Sequence, residues 1–134
     1  MTVSTERRRV RSNDLDEAIQ LQLRHVAEVM SFEAIVLTDD LGIPKVRIGN
    51  GELTELLAGS AMWARFSDMG VDAYLLDRLQ DIDPSRHAGH VHSEEMTIGD
   101  TQYCLLAVGP SHVGGVGVEH AATGVRRIHA TLAA

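Results

Sequence analysis

Cysteine is nearly missing from this chain. Cys104 stands alone in 134 residues, so no disulfide can close within the chain and an oxidising compartment has nothing to stabilise. Aromatic residues are almost as scarce: Trp63, Tyr74, Tyr103, Phe32 and Phe66 are all there are. The core must then be built from aliphatic side chains and alanine, with few large rings to shape a deep ligand cavity. No stretch approaches the roughly 18 consecutive apolar residues of a membrane-spanning helix, and no apolar run follows the first arginines as a secretory leader would require. The expected setting is the cytoplasm, with no membrane partner.

Positive charge is also short, and it is unevenly placed. The net charge is −7, yet Arg7, Arg8, Arg9 and Arg11 face only Glu6 at the start, leaving about −10 on the remainder. An acidic body repels a phosphate backbone, which argues against nucleic-acid binding by the folded part. Residues 1–12 are expected to form a disordered basic arm and residues 13–134 a single domain, since the length suits one core. Hydrophobic residues at 44% and charged residues at 23% are ordinary globular usage, so that body should fold.

Three segments have helical spacing. Leu15, Ile19, Leu23, Val26 and Met30 recur on one face, predicting an amphipathic helix from about Asp14 to Met30. A second helix is predicted from Glu52 to Met69, ended by Gly70. Its apolar set of Leu53, Leu56, Leu57, Ala58, Ala61, Met62, Trp63, Ala64, Phe66 and Met69 is wider than one sheet face needs. A helix apolar nearly all round is expected to be covered by a second subunit. A third helix is predicted around Val118, Ala121, Ala122, Val125, Ile128 and Leu132.

The strands announce themselves through turns. Glu33 to Thr38 is a short β-branched run, Asp39-Asp40-Leu41-Gly42 has the chemistry of a tight turn, and Pro44 to Ile48 alternates apolar with basic residues. Val91 to Ile98 and Gln102 to Val108 flank Gly99-Asp100 as a second hairpin, and the run Tyr103 to Val108 is apolar enough for a central strand. Val71 to Leu79 offers apolar residues to both faces and is predicted as a strand, although a helical reading of the same residues stays open. The expected fold is thus α+β, in the order αββαβββα.

That order, together with Phe32-Glu33-Ala34-Ile35-Val36-Leu37-Thr38-Asp39-Asp40-Leu41-Gly42-Ile43-Pro44 and the Ala- and Leu-rich stretch from Glu52 to Arg65, resembles the Roadblock family of dynein light chains and their bacterial relatives. The likeness runs from Asp14 to Leu132. It implies a profilin-like, five-stranded antiparallel sheet with helices on both faces, and a homodimer made by pairing the middle strand and the second helix. By the same resemblance Leu57, Ala61, Met62, Trp63, Phe66, Tyr74 and Leu76 form the dimer interface. The function it implies is that of a scaffold or regulator binding a Ras-like small GTPase or a related protein. The segment from Asp81 to His92 and the linker Gly114-Gly115-Val116-Gly117 depart from the family pattern. A small GAF-type ligand-sensing domain is the alternative, with its ligand between the sheet and the loop from Asp81 to His92.

Candidate chemistry is thin. His87, His90 and His92 form H-x-x-H-x-H, but only Glu94 or Glu95 is at hand as a further ligand and the spacing matches no established zinc motif. Cys104 could take His112 or His120 as a base, yet Tyr103, Leu105 and Leu106 around it read as core. Asp39 and Asp40 read as turn formers, bonding local amides. Gly114, Gly115 and Gly117 precede a helix, but no Lys-Ser/Thr follows and Glu119 would repel a phosphate. No catalytic residue, cofactor or metal is therefore expected, and the chain is expected not to be an enzyme.

Overall fold

The computed structural model describes the backbone of residues 3–110 and 116–132, and the side chains of residues 14–110 and 117–131. Helix α1, Val3–Met30, buries Ile19, Leu23, Val26 and Ala27 along one stripe. Its backbone is helical from Val3, earlier than the Asp14 start expected. The side chains of the expected basic arm, residues 1–12, lie outside those described. The helix ends on Ser31, whose φ of 57° is left-handed. There the Phe32 N–H bonds the Ala27 carbonyl at 2.9 Å and the Ser31 N–H bonds that of Glu28 at 3.3 Å.

Strands β1, Ala34–Asp39, and β2, Pro44–Gly49, form the first hairpin. Strands β3, Val91–Ile98, and β4, Thr101–Val108, form the second, turning on Gly99 at φ 63°. The sheet is antiparallel in the order β2-β1-β4-β3, so the apolar run of β4 is central, as its sequence implies. Ile35, Leu37, Leu105 and Ala107 face α1 and helix α4, Val116–Leu132. Ala34, Val36, Leu106 and Val108 face helices α2, Gly51–Trp63, and α3, Val71–Ile82. Both faces of β1 and of the second half of β4, Leu105 to Val108, are thus covered, and these stretches are apolar without alternation for that reason.

Two expectations are corrected. Among the described residues the sheet has four strands, not five, because Val71 to Leu79 is helical. Val71, Leu75 and Leu79 are spaced four apart and pack as one stripe against α2 and the sheet, with Leu75 and Leu79 fully enclosed. The apparent two-faced apolar pattern was this stripe overlaid by half-buried Tyr74 and Leu76. The second helix is also shorter than expected. α2 stops at Trp63, a tighter 3-10 turn carries Ala64–Phe66, and the Ser67 hydroxyl bonds the Ala64 carbonyl at 2.8 Å to close it.

Candidate interaction surface

The tip of the first hairpin is shaped by one carboxylate. Asp39 Oδ1 accepts from the Leu41 and Ile43 N–H groups, each at 2.9 Å, and Lys45 Nζ lies 3.8 Å from Oδ2. This is the turn role its sequence context implied. Gly42 is required twice over. Its φ of 82° is left-handed, and a Cβ there would lie 2.6 Å from the Met62 Cα. The tip therefore rests against the end of α2, and the Arg65 guanidinium adds a 3.3 Å bond to the Asp40 carbonyl.

At this junction the chain leaves large apolar side chains in solvent. Trp63 is 56% exposed and Phe66 68% exposed, with ring centroids 5.8 Å apart and the Arg65 guanidinium 4.8 Å above the Phe66 ring. Met69, Leu41 and Ile43 are exposed beside them on the following segment and the hairpin tip. Sequence reasoning found Trp63 and Phe66 but missed Leu41 and Ile43. The signal was there, in two branched aliphatic residues flanking a turn glycine, where polar residues are usual.

The expected dimer residues are divided by the fold. Leu57 is completely enclosed in its own chain and presents nothing to a partner. Ala61 and Met62 are half-buried. Tyr74 and Leu76 lie half-buried on a helix rather than on a pairing strand. Between α2 and α3 runs a shallow groove of about 240 Å³ lined by Leu56, Gly59, Trp63, Tyr74 and Arg78. Asn50 sets the direction of α2 by accepting the Leu53 N–H on Oδ1 at 3.1 Å.

A cavity of about 220 Å³ opens where the hairpin tip meets the start of α3, lined among others by Asp39, Arg65, Glu95, Tyr103 and Cys104. Burial, then the charges of Glu95 and Asp72, pushes the Cys104 thiol up to about 12. It stays a thiol at neutral pH. His112 lies outside the described residues, and His120 is on α4, across the sheet from the face on which Cys104 packs.

The three histidines do not converge. His92 is 5% exposed and packs under the α1–α4 layer, its ring centroid 5.6 Å from that of Phe32. His87 and His90 pair with each other outside, centroids 4.0 Å apart. Each accepts a backbone N–H on Nδ1, from Gly89 to His87 and from His87 to His90, both at 3.1 Å. A neutral ring that accepts on Nδ1 carries its proton on Nε2, which then has no lone pair for a metal. Among the described residues no group of three or more potential ligands is gathered.

A contact the sequence did not announce lies just before them. Arg86 grips Glu33 through two nitrogens at 2.5 and 2.7 Å, with Asp83 Oδ2 3.2 Å from Nε. The hydrogen bond from Arg86 holds the Glu33 carboxyl below its ordinary value against the opposing effect of burial. The pair is 53 residues apart in sequence, and no local spacing could have linked them.

No family model matches the chain, and no curated protein is similar to it in sequence. Among solved structures, the chain is similar to Myxococcus xanthus MglB. The likeness covers 87% of this chain and 91% of that one, at a TM-score of 0.48 and 10% sequence identity. At that identity no side chain is carried from one to the other. No helix among the described residues is long and apolar enough to cross a membrane.

Proposed function

We propose that this chain is a non-catalytic, homodimeric docking module of the Roadblock kind, which serves as a scaffold or regulator for a Ras-like small GTPase. The observation that carries the reading is the exposure of Trp63 and Phe66, at 56% and 68%, at the end of a helix otherwise anchored in its own core. Rings of this size left in water are a usual mark of a surface that is covered in the working assembly. The two-layered helical cover, the helix–hairpin–helix opening and the closing hairpin and helix support the same reading by their order. The strand that the family resemblance assigned to subunit pairing is helix α3 here. The dimer is therefore built on helices, with Trp63, Phe66 and Met69 at its centre and the α2–α3 groove around Gly59 at its rim.

A stable pair buries about 800 Å² on each partner, which the aromatic end and the groove together are the right kind of surface to supply. Sedimentation equilibrium at about 10 µM should give a dimer, and Trp63→Ala with Phe66→Ala should shift it toward monomer by at least tenfold in Kd. A wild-type chain that stays monomeric at ten times that concentration would remove the reading. Partner choice is tested by binding of GDP- and GTP-loaded Ras-like GTPases to the dimer.

The sensor alternative keeps one supporting observation, the cavity beside Arg65 and Tyr103. It lies at the opposite end of α3 from the loop where a ligand was expected. A thermal-shift screen of small metabolites tests it, since a bound ligand raises apparent stability.

A further inference from the structure

The turn that delivers the chain from α3 into β3 is held by imidazoles. His87 stands at the start of the 3-10 turn Ala88–His90, and its Nδ1 accepts the Gly89 N–H at 3.1 Å. His90, at the other end, accepts the His87 N–H on its own Nδ1, again at 3.1 Å. This is the reciprocal arrangement of a capping box, with both acceptors replaced by histidine where Ser, Asn, Glu or Gln are usual. The His90 carbonyl in turn accepts the Gly109 N–H at 3.0 Å, so the turn fixes where β3 begins against the end of β4.

An imidazole is a special kind of cap, because protonation converts its acceptor nitrogen into a donor. A proton on either Nδ1 would face the N–H it now accepts from, and the cap would be lost. A proton on both rings would also set two positive charges on centroids 4.0 Å apart.

We propose that His87 and His90 form a pH-operated clasp on the connection between α3 and β3, closed while both rings are neutral and opened when either takes up a proton. Several charged or titratable groups lie around the clasp. Glu33, on the turn before β1, is within electrostatic reach of His90 and is itself paired with Arg86, which also meets Asp83. His92 on β3 is within electrostatic reach of His90, and Asp72 of α3 faces His92. Arg86 is committed to Glu33 and Asp83, so these two acids are already matched by a cation of their own.

The clasp and the Arg86 anchor are separate fastenings of one segment. Gln80 Nε2 bonds the Arg86 carbonyl at 2.9 Å, so residues up to 86 stay tied to α3 when the caps are lost. Opening is thereby confined to residues 87–90 and the first residue of β3. The fold as a whole does not open with it.

The test is nuclear magnetic resonance on the full chain. At about pH 8 the ring nitrogens of His87 and His90 should report the Nε2–H tautomer. On descent to about pH 5.5 the exchange protection of the His87 and Gly89 amides should fall by about three- to tenfold, the factor for loss of one ordinary cap. The Leu106 amide in the central strand should keep its protection, which separates opening of the turn from unfolding. The double variant His87→Asn, His90→Gln retains capping acceptors without a titrating ring, so its turn should stay protected across the same range. The proposal is overturned if the wild-type rings carry Nδ1–H at the upper pH, if the two amides hold their protection at the lower one, or if the double variant loses protection as the wild type does.

Discussion

Single residues carry much of what distinguishes this chain from a generic α/β layer protein. Ser31 holds a left-handed φ of 57° at the end of α1, a conformation that costs an L-residue roughly 1 kcal/mol and glycine almost nothing. Ser31→Gly should therefore stabilise the fold by about 0.5–1 kcal/mol, read as a rise of a few degrees in thermal midpoint. His92 is the opposite case, a polar ring set in an apolar layer, and its Nε2 is buried without a hydrogen-bond partner. Burial, aided by His90, holds its pKa below the ordinary value, although Asp72 and the Pro110 backbone pull the other way. Below the unfolded value of about 6.5 the unfolded chain binds this proton more readily than the folded one. Stability from His92 is thus complete above that pH and lost as pH falls toward the folded value. His92→Leu should show a smaller drop in urea midpoint between about pH 7.5 and 5.5 than the wild type. At this scale the sequence was legible where a role is local. Asp39 as a turn former could be read from its neighbours. Cys104 was read from its neighbours as core, and it does pack against the core, but only partly buried at the wall of the cavity. The Glu33–Arg86 pair and the inward turn of His92 could not be read, because each depends on which strand face meets which helix.

Elements were legible in proportion to how one-sided they are. Both hairpins were read correctly from turn chemistry, as was α4 from its narrow apolar stripe. α3 failed because its stripe of Val71, Leu75 and Leu79 carries extra apolar residues on its flanks, and period two and period four cannot then be told apart over nine residues. That failure reaches the candidate site, since Tyr74 and Leu76 were placed in a dimer contact as strand residues. α2 gives the sharpest test at this scale. Gly59 sits mid-helix with nothing within 4 Å of where a Cβ would be, so the fold of one chain gives no reason for it. Gly59→Ala should stabilise the isolated chain by about 0.5–1 kcal/mol through helix propensity. The same methyl group would obstruct a helix packed across the groove, so dimerisation should weaken while the monomer gains. A gain in both would place Gly59 outside any subunit contact.

For the molecule as a whole, net charge sets the conditions of assembly. Two copies at −7 each repel at long range, while the contact proposed for them is largely apolar. Raising ionic strength from about 0.05 to 0.5 M should tighten the dimer, a sign opposite to that of a contact made by ion pairs. Sedimentation across that salt series distinguishes the two. The overall α+β arrangement and the wide apolar character of α2 were visible in the sequence, but the share of that surface left in water was not. Leu57 and Phe66 look alike in a hydrophobic pattern, and only the point where α2 gives way to a tighter turn decides which is inside.

With α1 and α4 laid over one side of the sheet and α2 and α3 over the other, most of β1 and the second half of β4, Leu105 to Val108, are sealed from anything approaching in solution, and the cavity beside Tyr103 and Cys104 reaches the central strands. Among the described residues a visitor can read the backs of four helices, two hairpin knuckles and the two outer strands. Recognition by the described residues falls mainly to upholstery and seams, which can be rewritten with little disturbance to the frame.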